Sequence, residues 1–155
     1  MRLLCDQMLI RLGKWLRAAG YDTVIIEDSI PDDEIFSLAL QEDRLLITRD
    51  RHFLEMKDAN DRVVWLESNE VDECAKELSK KLTINWLLKP FSRCITCNTI
   101  FEEAVVEDLK EVPEDILEKC SEYSKCPHCK KVFWLGSHTA RMHQQLELWA
   151  SLAGP

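Results

Sequence analysis

Residues 2–20, which read RLLCDQMLIRLGKWLRAAG, decide the start of the fold. Residues 2–5 form a short apolar run typical of a strand, and Asp6 ends that run. Beyond Asp6 the apolar side chains recur at the 3.6-residue period of a helix. They are Met8, Leu9, Leu12, Trp15, Leu16 and Ala19. Gly20 supplies a stop signal, so this segment predicts a strand, a carboxylate and then a helix over 7–19.

The same alternation of strand and helix continues to about residue 81. Further strands are predicted at 23–26, 45–48 and 63–66, and helices at the segment opened by Pro31, at 51–57 and at 70–81. Strands that alternate with helices indicate βαβ units and a parallel sheet covered on both faces. We therefore predict an α/β domain over residues 1–89.

Two CxxC pairs dominate the second half of the chain. Cys94-Ile-Thr-Cys97 and Cys126-Pro-His-Cys129 are separated by 28 residues. Two such pairs complete a closed tetrahedral Cys₄ site, which is the arrangement of a structural zinc ion. We predict a zinc module, then a helix over 138–152, with 90–155 forming the second domain.

The composition of the chain limits which partners and which compartment we expect. The chain has 155 residues and a net charge of −8, which argues against a large non-specific nucleic-acid surface. No apolar run reaches the roughly 18 residues of a membrane helix, and Asp6 comes too early for a signal peptide. Paired CxxC motifs favour a reducing compartment, so we expect a cytoplasmic protein without a membrane span.

Acidic residues follow two of the predicted strands. Asp6 ends the first strand, Asp50 comes just after the third, and Asp32, Asp33 and Glu34 open the second helix. Ligands of parallel sheets bind at the carboxyl ends of the strands. Clustered carboxylates bind hard cations such as Mg²⁺ and Mn²⁺, and two such ions can hydrolyse a phosphodiester.

A plainer reading of these acids also exists. Asp is a common helix N-cap, which would account for Asp6. Acids in the first turn favour the helix dipole, and Ser29 with Asp32 fits a capping box. Both readings stay open at the level of sequence.

A basic stripe accompanies the acids. Arg11, Lys14 and Arg17 lie on the polar side of the first predicted helix, which begins directly after Asp6. Cations beside carboxylates suit a phosphate backbone, although an ordinary solvated helix face has the same pattern. Arg49, next to Asp50, is a further candidate contact for such a backbone.

Several motifs together resemble a known family. In the first half they are LLCDQML (3–9), LGKWLRAAGYD (12–22), DDEI (32–35) and LITRD (46–50); in the second they are PFSRCITCN (90–98), CPHC (126–129) and WLGSH (134–138). The first set resembles the PIN-like ribonuclease domain at the C-terminus of Mut-seven proteins, and the second set is similar to the zinc ribbon fused to that domain.

The resemblance implies a three-layer α/β/α fold and metal-dependent cleavage of RNA. By that similarity Asp6 and Asp50 are the outer catalytic acids, and Asp32 or one of its neighbours Asp33 and Glu34 is the middle one. Glu55 is the nearby candidate for the fourth acid that PIN-like domains often carry. The alternatives are a non-catalytic RNA- or protein-binding module and the toxin half of a toxin–antitoxin pair.

Overall fold

The computed structural model describes residues 1–154, which form an α/β core followed by a small antiparallel sheet and a long final helix. Strands of the core are β1 (Arg2–Cys5), β2 (Asp22–Ile25), β3 (Leu45–Thr48) and β4 (Val63–Trp65), and its helices are α1 (Ile10–Ala19), α2 (Asp32–Gln41) and α3 (Val71–Lys81). The later elements are β5 (Glu102–Glu103), α4 (Glu114–Leu117), β6 (Tyr123–Lys125), β7 (Val132–Trp134) and α5 (Ser137–Leu152). No helix among residues 1–154 is both long and apolar enough to cross a bilayer.

The core sheet is parallel throughout and has the strand order β2-β1-β3-β4. Cys5 pairs with Ile25 on one side and with Ile47 on the other. The register continues past the strand, because the Asp6 amide donates to the Ile47 carbonyl at 3.4 Å. The residues that follow β1 and β3 therefore lie side by side at one edge, as the sequence predicted.

Alternate side chains of the strands enter two separate cores. Leu3, Cys5 and Ile47 pack with α1, α3 and α5 on one face of the sheet. Leu4 and Leu46 pack with α2 on the other face. Both faces are covered, so the prediction of a three-layer α/β/α fold is confirmed.

The first helix begins later than its apolar pattern predicted. Residues Gln7–Leu9 form a 3₁₀ turn whose N-cap is Asp6, and α1 proper follows. α1 ends at Gly20, which has a φ of 103°. A side chain there would also meet the Lys89 carbonyl oxygen, which lies 2.6 Å from an ideal Cβ position. The connector after α3 thus passes directly over the end of α1.

The final helix, α5, packs against the α/β core. Leu146 and Trp149 of α5 are buried in the cluster that contains α1 and α3. The Trp149 ring lies 5.0 Å from Trp15 and 4.9 Å from Trp86, centroid to centroid. The predicted boundary between residues 89 and 90 places α5 in the second domain, together with the zinc module. The apolar face of α5, however, packs on residues 1–89.

Candidate active site and metal centre

A threonine hydroxyl joins the two predicted outer acids. Oγ1 of Thr48 donates to Oδ2 of Asp6. The same oxygen accepts a hydrogen bond from the Asp50 amide at 2.9 Å. Asp6 is only 4% exposed, and its other oxygen accepts from the Met8 amide at 3.0 Å. The carboxyl edge of β1 and β3 is therefore held together by side chains as well as by the sheet.

Asp50 and the three acids that open α2 differ in exposure. Asp50 is half-buried, and its Oδ1 accepts from the His52 amide at 2.9 Å, so it caps the 3₁₀ turn Arg51–Glu55. Asp32 is half-buried at the start of α2, and Asp33 and Glu34 beside it are exposed. α2 has Pro31 at its N-cap and no side-chain capping bond, so the capping box predicted from Ser29 does not form.

The electrostatics of Asp6 connect these groups. Burial raises the pKa of Asp6 above its ordinary value; the bonds from Thr48 and the Met8 amide oppose this rise, and the charges of Asp50 and Asp32 add to it. The charges of these two carboxylates thus oppose ionisation of Asp6. A buried carboxylate with acidic neighbours is stabilised by a cation.

The acids do not form a compact ligand cage. Within residues 1–154, the four cysteines are the only group of three or more acidic, cysteine or histidine side chains with all ligand atoms within 4.8 Å of one another. Glu55 is directed elsewhere, since it is 80% exposed and one oxygen lies 3.8 Å from His52 Nδ1. A cation at this edge would retain part of its water shell, as Mg²⁺ usually does.

One residue of the predicted basic stripe, Arg17, is buried. Arg11 and Lys14 are exposed on α1, but Arg17 is 6% exposed. Its guanidinium donates to the carbonyls of Thr23 at 2.8 Å and of Ile95 and Thr96 at 2.9 Å each. Arg17 is therefore a buried link between α1, β2 and the first CxxC turn, and its donors are not available to RNA.

Arg49 lies next to Asp50 and makes few contacts of its own. It is half-buried, with Nη2 3.5 Å from the Glu67 carbonyl and with a buried Nε that has no partner among the described residues. Its own carbonyl accepts from Trp65 Nε1 at 3.0 Å. A contact between Arg49 and RNA stays a prediction.

Two residues at this edge were not predicted from the sequence. Thr48 bridges Asp6 and Asp50. Its position at the end of β3, level with Asp6, is the feature of the sequence that could have indicated this contact. Glu27 is exposed and lies just beyond β2, whose last residues pair with β1: the Ile26 amide donates to the Cys5 carbonyl at 2.9 Å. It adds another carboxylate to the same side of the sheet.

The four predicted cysteine ligands converge. The sulfurs of Cys94 and Cys129 are 3.7 Å apart, and those of Cys97 and Cys126 are 3.2 Å apart. A zinc–sulfur bond of about 2.3 Å gives a tetrahedral edge of roughly 3.8 Å, so the cluster fits a single zinc ion. Cys120 is not part of it.

The two CxxC turns have the same backbone form. The Asn98 amide donates to the Cys94 carbonyl at 2.8 Å, and the Lys130 amide donates to the Cys126 carbonyl at 2.9 Å. Asn98 and Lys130 have positive φ angles of 67° and 66°. Each turn thus curls back on itself and directs its pair of sulfurs to one point.

Residues 1–146 match the family model described as "Mut7-C RNAse domain". The chain belongs to this family. The match includes the acidic edge, both CxxC turns and most of α5, so the predicted resemblance is confirmed over nearly the whole chain. No curated protein and no solved structure matches it. Membership of the Mut7-C RNAse domain family suggests nuclease activity with RNA as the substrate.

Proposed function

We propose that this Mut7-C domain is a metal-dependent endoribonuclease whose Mg²⁺ or Mn²⁺ is held by Asp6, Asp50 and Asp32. The observation that carries the proposal is the Thr48 hydroxyl, which joins Asp6 to Asp50 at the carboxyl edge of a parallel sheet. Ligands of such sheets bind at this edge, and the family is one of ribonucleases. Asp33 or Glu34 is proposed as a further ligand.

The residues around Asp6 have distinct roles in this proposal. Thr48 and the Met8 amide each bond one oxygen of Asp6, which fixes the plane of the carboxylate. Bound at this edge, the cation would lower the pKa of a water molecule and stabilise the leaving oxygen. Its positive charge also offsets the cost of burying the charged Asp6.

The zinc ion is proposed to be structural. All four cysteine sulfurs are used by the tetrahedron, so the ion would have no open position for water or substrate. Such a thiol cluster is maintained in reducing compartments, and we infer a cytoplasmic location on that basis.

A non-catalytic RNA-binding module is the second candidate. The observation that favours it is the spread of the acids, which do not gather within 4.8 Å as the cysteines do. Cleavage and binding distinguish the two functions. An enzyme needs divalent metal and forms product, whereas a module binds RNA without either.

The test is incubation of mixed labelled RNAs with Mg²⁺ or Mn²⁺, with product followed on a gel. Asp6→Asn and Asp50→Asn should reduce cleavage to background, because each keeps the shape of the side chain and removes one charge of the site. Asp58→Asn is the matched control, since Asp58 is exposed and its side chain makes no capping bond. Cleavage at the full rate by Asp6→Asn would end the proposal.

A further inference from the structure

A groove runs between the first helix, the first CxxC turn and the last helix. Its volume is about 280 Å³. It is lined by Arg11, Lys14, Trp15, Ile95, His138 and Met142. Three separate parts of the fold thus contribute to one surface, with α1 on one side and α5 on the other.

The chemistry of this groove combines positive charge with apolar surface. Arg11 and Lys14 are exposed, and neither forms an ion pair with any of residues 1–154. Both are unneutralised cations in a chain of net charge −8. Trp15, Ile95 and Met142 are half-buried and give the groove an apolar lining between these charges.

That combination fits a single strand of nucleic acid. Single-strand sites pair cations, which follow the phosphates, with apolar and aromatic side chains, which receive the bases. Stacked base pairs inside a duplex hide the faces of their bases, so a duplex would leave the apolar lining unused. The occupant is therefore expected to have unpaired bases.

Arg11 belongs both to this groove and to a second cavity beside the residue that follows Asp6. Arg11 lines a second cavity of about 180 Å³ together with Gln7, Met8 and Asn69. Gln7 directly follows Asp6. The 3₁₀ turn rises about 2.0 Å per residue and α1 about 1.5 Å per residue, so Lys14 lies at most roughly 14 Å from Asp6 along the helical path. A strand held by Lys14 and Arg11 thus has a short path to the carboxylates.

We propose that single-stranded RNA docks in the groove between α1 and α5 and passes Arg11 to reach the acidic edge. The link to cleavage rests on the proposed function, but docking does not. The zinc module contributes Ile95 to this surface, so it forms one wall of the RNA path in addition to its structural role.

The test measures binding of labelled single-stranded RNA of about 10 nucleotides, within the range that single-strand sites cover. The zinc-loaded Asp6→Asn protein is used without added Mg²⁺ or Mn²⁺, so cleavage does not interfere. Arg11→Gln with Lys14→Gln should weaken binding at least tenfold at low salt. It should also make the slope of log affinity against log salt shallower by about 1.4, since each phosphate contact contributes about 0.7.

Two further variants separate charge from apolar contact. Lys57→Gln with Lys110→Gln makes the same change in net charge at exposed positions outside the groove, and it should leave binding and slope unchanged. Met142→Ala, on a helix that tolerates alanine, should weaken binding of the single strand without changing the slope.

Equal losses in the groove variant and the matched control would overturn the proposal. Tighter binding of a duplex of the same sequence would overturn it as well. Self-association that disappears with the groove substitutions would assign the surface to a second copy of the chain instead. Metal-dependent cleavage by the wild type is measured separately, so loss of docking and loss of catalysis are distinguishable.

Discussion

Nη1 of Arg17 lies 2.9 Å from the carbonyl oxygen of Ile95, so a side chain of α1 is bonded directly to the first CxxC turn. The attachment continues at the edge strand β2. Nδ2 of Asn98 donates to Oδ1 of Asp22 at 2.7 Å, and Oδ1 of Asn98 accepts from the Thr23 amide at 3.0 Å. Polar contacts from consecutive parts of one metal-binding turn thus fix the zinc module to the sheet.

Loss of zinc should loosen the module and this attachment. Cys126→Ser removes one ligand, and the acidic segment between the CxxC pairs buries little apolar surface of its own. We expect faster hydrogen exchange over 94–135 and at the Thr23 amide, while the central strands stay protected. Zinc content measured by mass spectrometry should fall well below one ion per chain.

Cys120→Ser is the matched control for this substitution. Cys120 is half-buried but lies outside the ligand cluster, so its variant should keep one zinc ion. Retention of stoichiometric zinc by Cys126→Ser, or its loss from Cys120→Ser, would contradict the assigned ligand set.

Replacing Arg17 should cost stability and leave the RNA surface in place. Arg17→Met keeps the apolar stem but removes the donors to three carbonyls. Hydrogen bonds from charged groups contribute about 1.5–3 kcal/mol each, with strong non-additivity, so we expect a loss of about 3 kcal/mol in urea unfolding. Arg11→Met, on the exposed face, should change stability by less than about 0.5 kcal/mol. Equal losses in the two variants would contradict the buried role.

The error over Arg17 has a geometric cause. Positions on a helix advance by about 100° per residue, so residues three apart step back by about 60°. Arg17 is therefore about 120° around α1 from Arg11, and its surroundings depend on what packs there. The partner is the CxxC turn, which lies 78 residues later in the chain, and no local pattern reports that contact.

The parallel sheet and the acids at its edge were more accessible to prediction. Two short apolar runs, one ending at Asp6 and the other followed two residues later by Asp50, identify both strands and the ends that carry the acids from local sequence alone. The bond from Thr48 to Asp6 joins residues 42 apart and depends on the register of β1 against β3. The distances among carboxylates depend on rotamers and loop paths, so the sequence predicted their neighbourhood and not their separation.

Removing the Thr48 hydroxyl should weaken the proposed cation site. Thr48→Val is close in shape but leaves the Asp50 amide and one oxygen of Asp6 without their shared partner. Loss of a group that orients a metal ligand typically costs 10–100-fold in affinity or activity. Cleavage rates at graded Mn²⁺ concentrations report the affinity of the site for Mn²⁺. This affinity should be lower in Thr48→Val and close to that of wild type in Thr48→Ser. Identical metal dependence of wild type and Thr48→Val would exclude this role.

Acid should release the contact between Asp22 and the zinc module. Burial alone would raise the pKa of Asp22, but hydrogen bonds from Arg44 and Asn98 outweigh it and lower the pKa from 3.8 to about 2. A depressed pKa means that the ionised carboxylate stabilises the fold at pH values above the ordinary pKa of 3.8. This stabilisation is lost as the pH falls through about 2. Asp22→Asn should therefore be less stable than wild type at pH 6, and the difference should shrink between about pH 4 and 2. A gap that stays constant over this interval would contradict the linkage.

The pH dependence of stability expected from Asp6 is opposite to that expected from Asp22. It tests whether the charge of Asp6 is kept for function at a cost in stability. Its pKa is raised, chiefly by burial and with added repulsion from Asp50 and Asp32. A raised pKa means that the protonated carboxyl stabilises the fold, and this stabilisation is complete at pH values below the ordinary pKa of 3.8. It is lost as the pH rises through the raised pKa of the folded state. At pH 7 the charged carboxylate therefore destabilises the metal-free fold. Asp6→Asn should melt at a higher temperature than wild type at pH 7 without Mg²⁺, and the advantage should vanish below about pH 4.

Added Mg²⁺ should reverse that order for a physical reason. A ligand that binds only the folded state stabilises it by about 2.7 kcal/mol at one hundred times its dissociation constant, and the cation also neutralises the buried charge. Wild type and the Asp58→Asn control should therefore gain melting temperature with Mg²⁺, while Asp6→Asn should gain little. Differential scanning calorimetry at pH 7 with and without the ion measures all three proteins. If Asp6→Asn gained as much from Mg²⁺ as wild type, the ion would bind elsewhere, and the carboxylate of Asp6 would have no part in holding it.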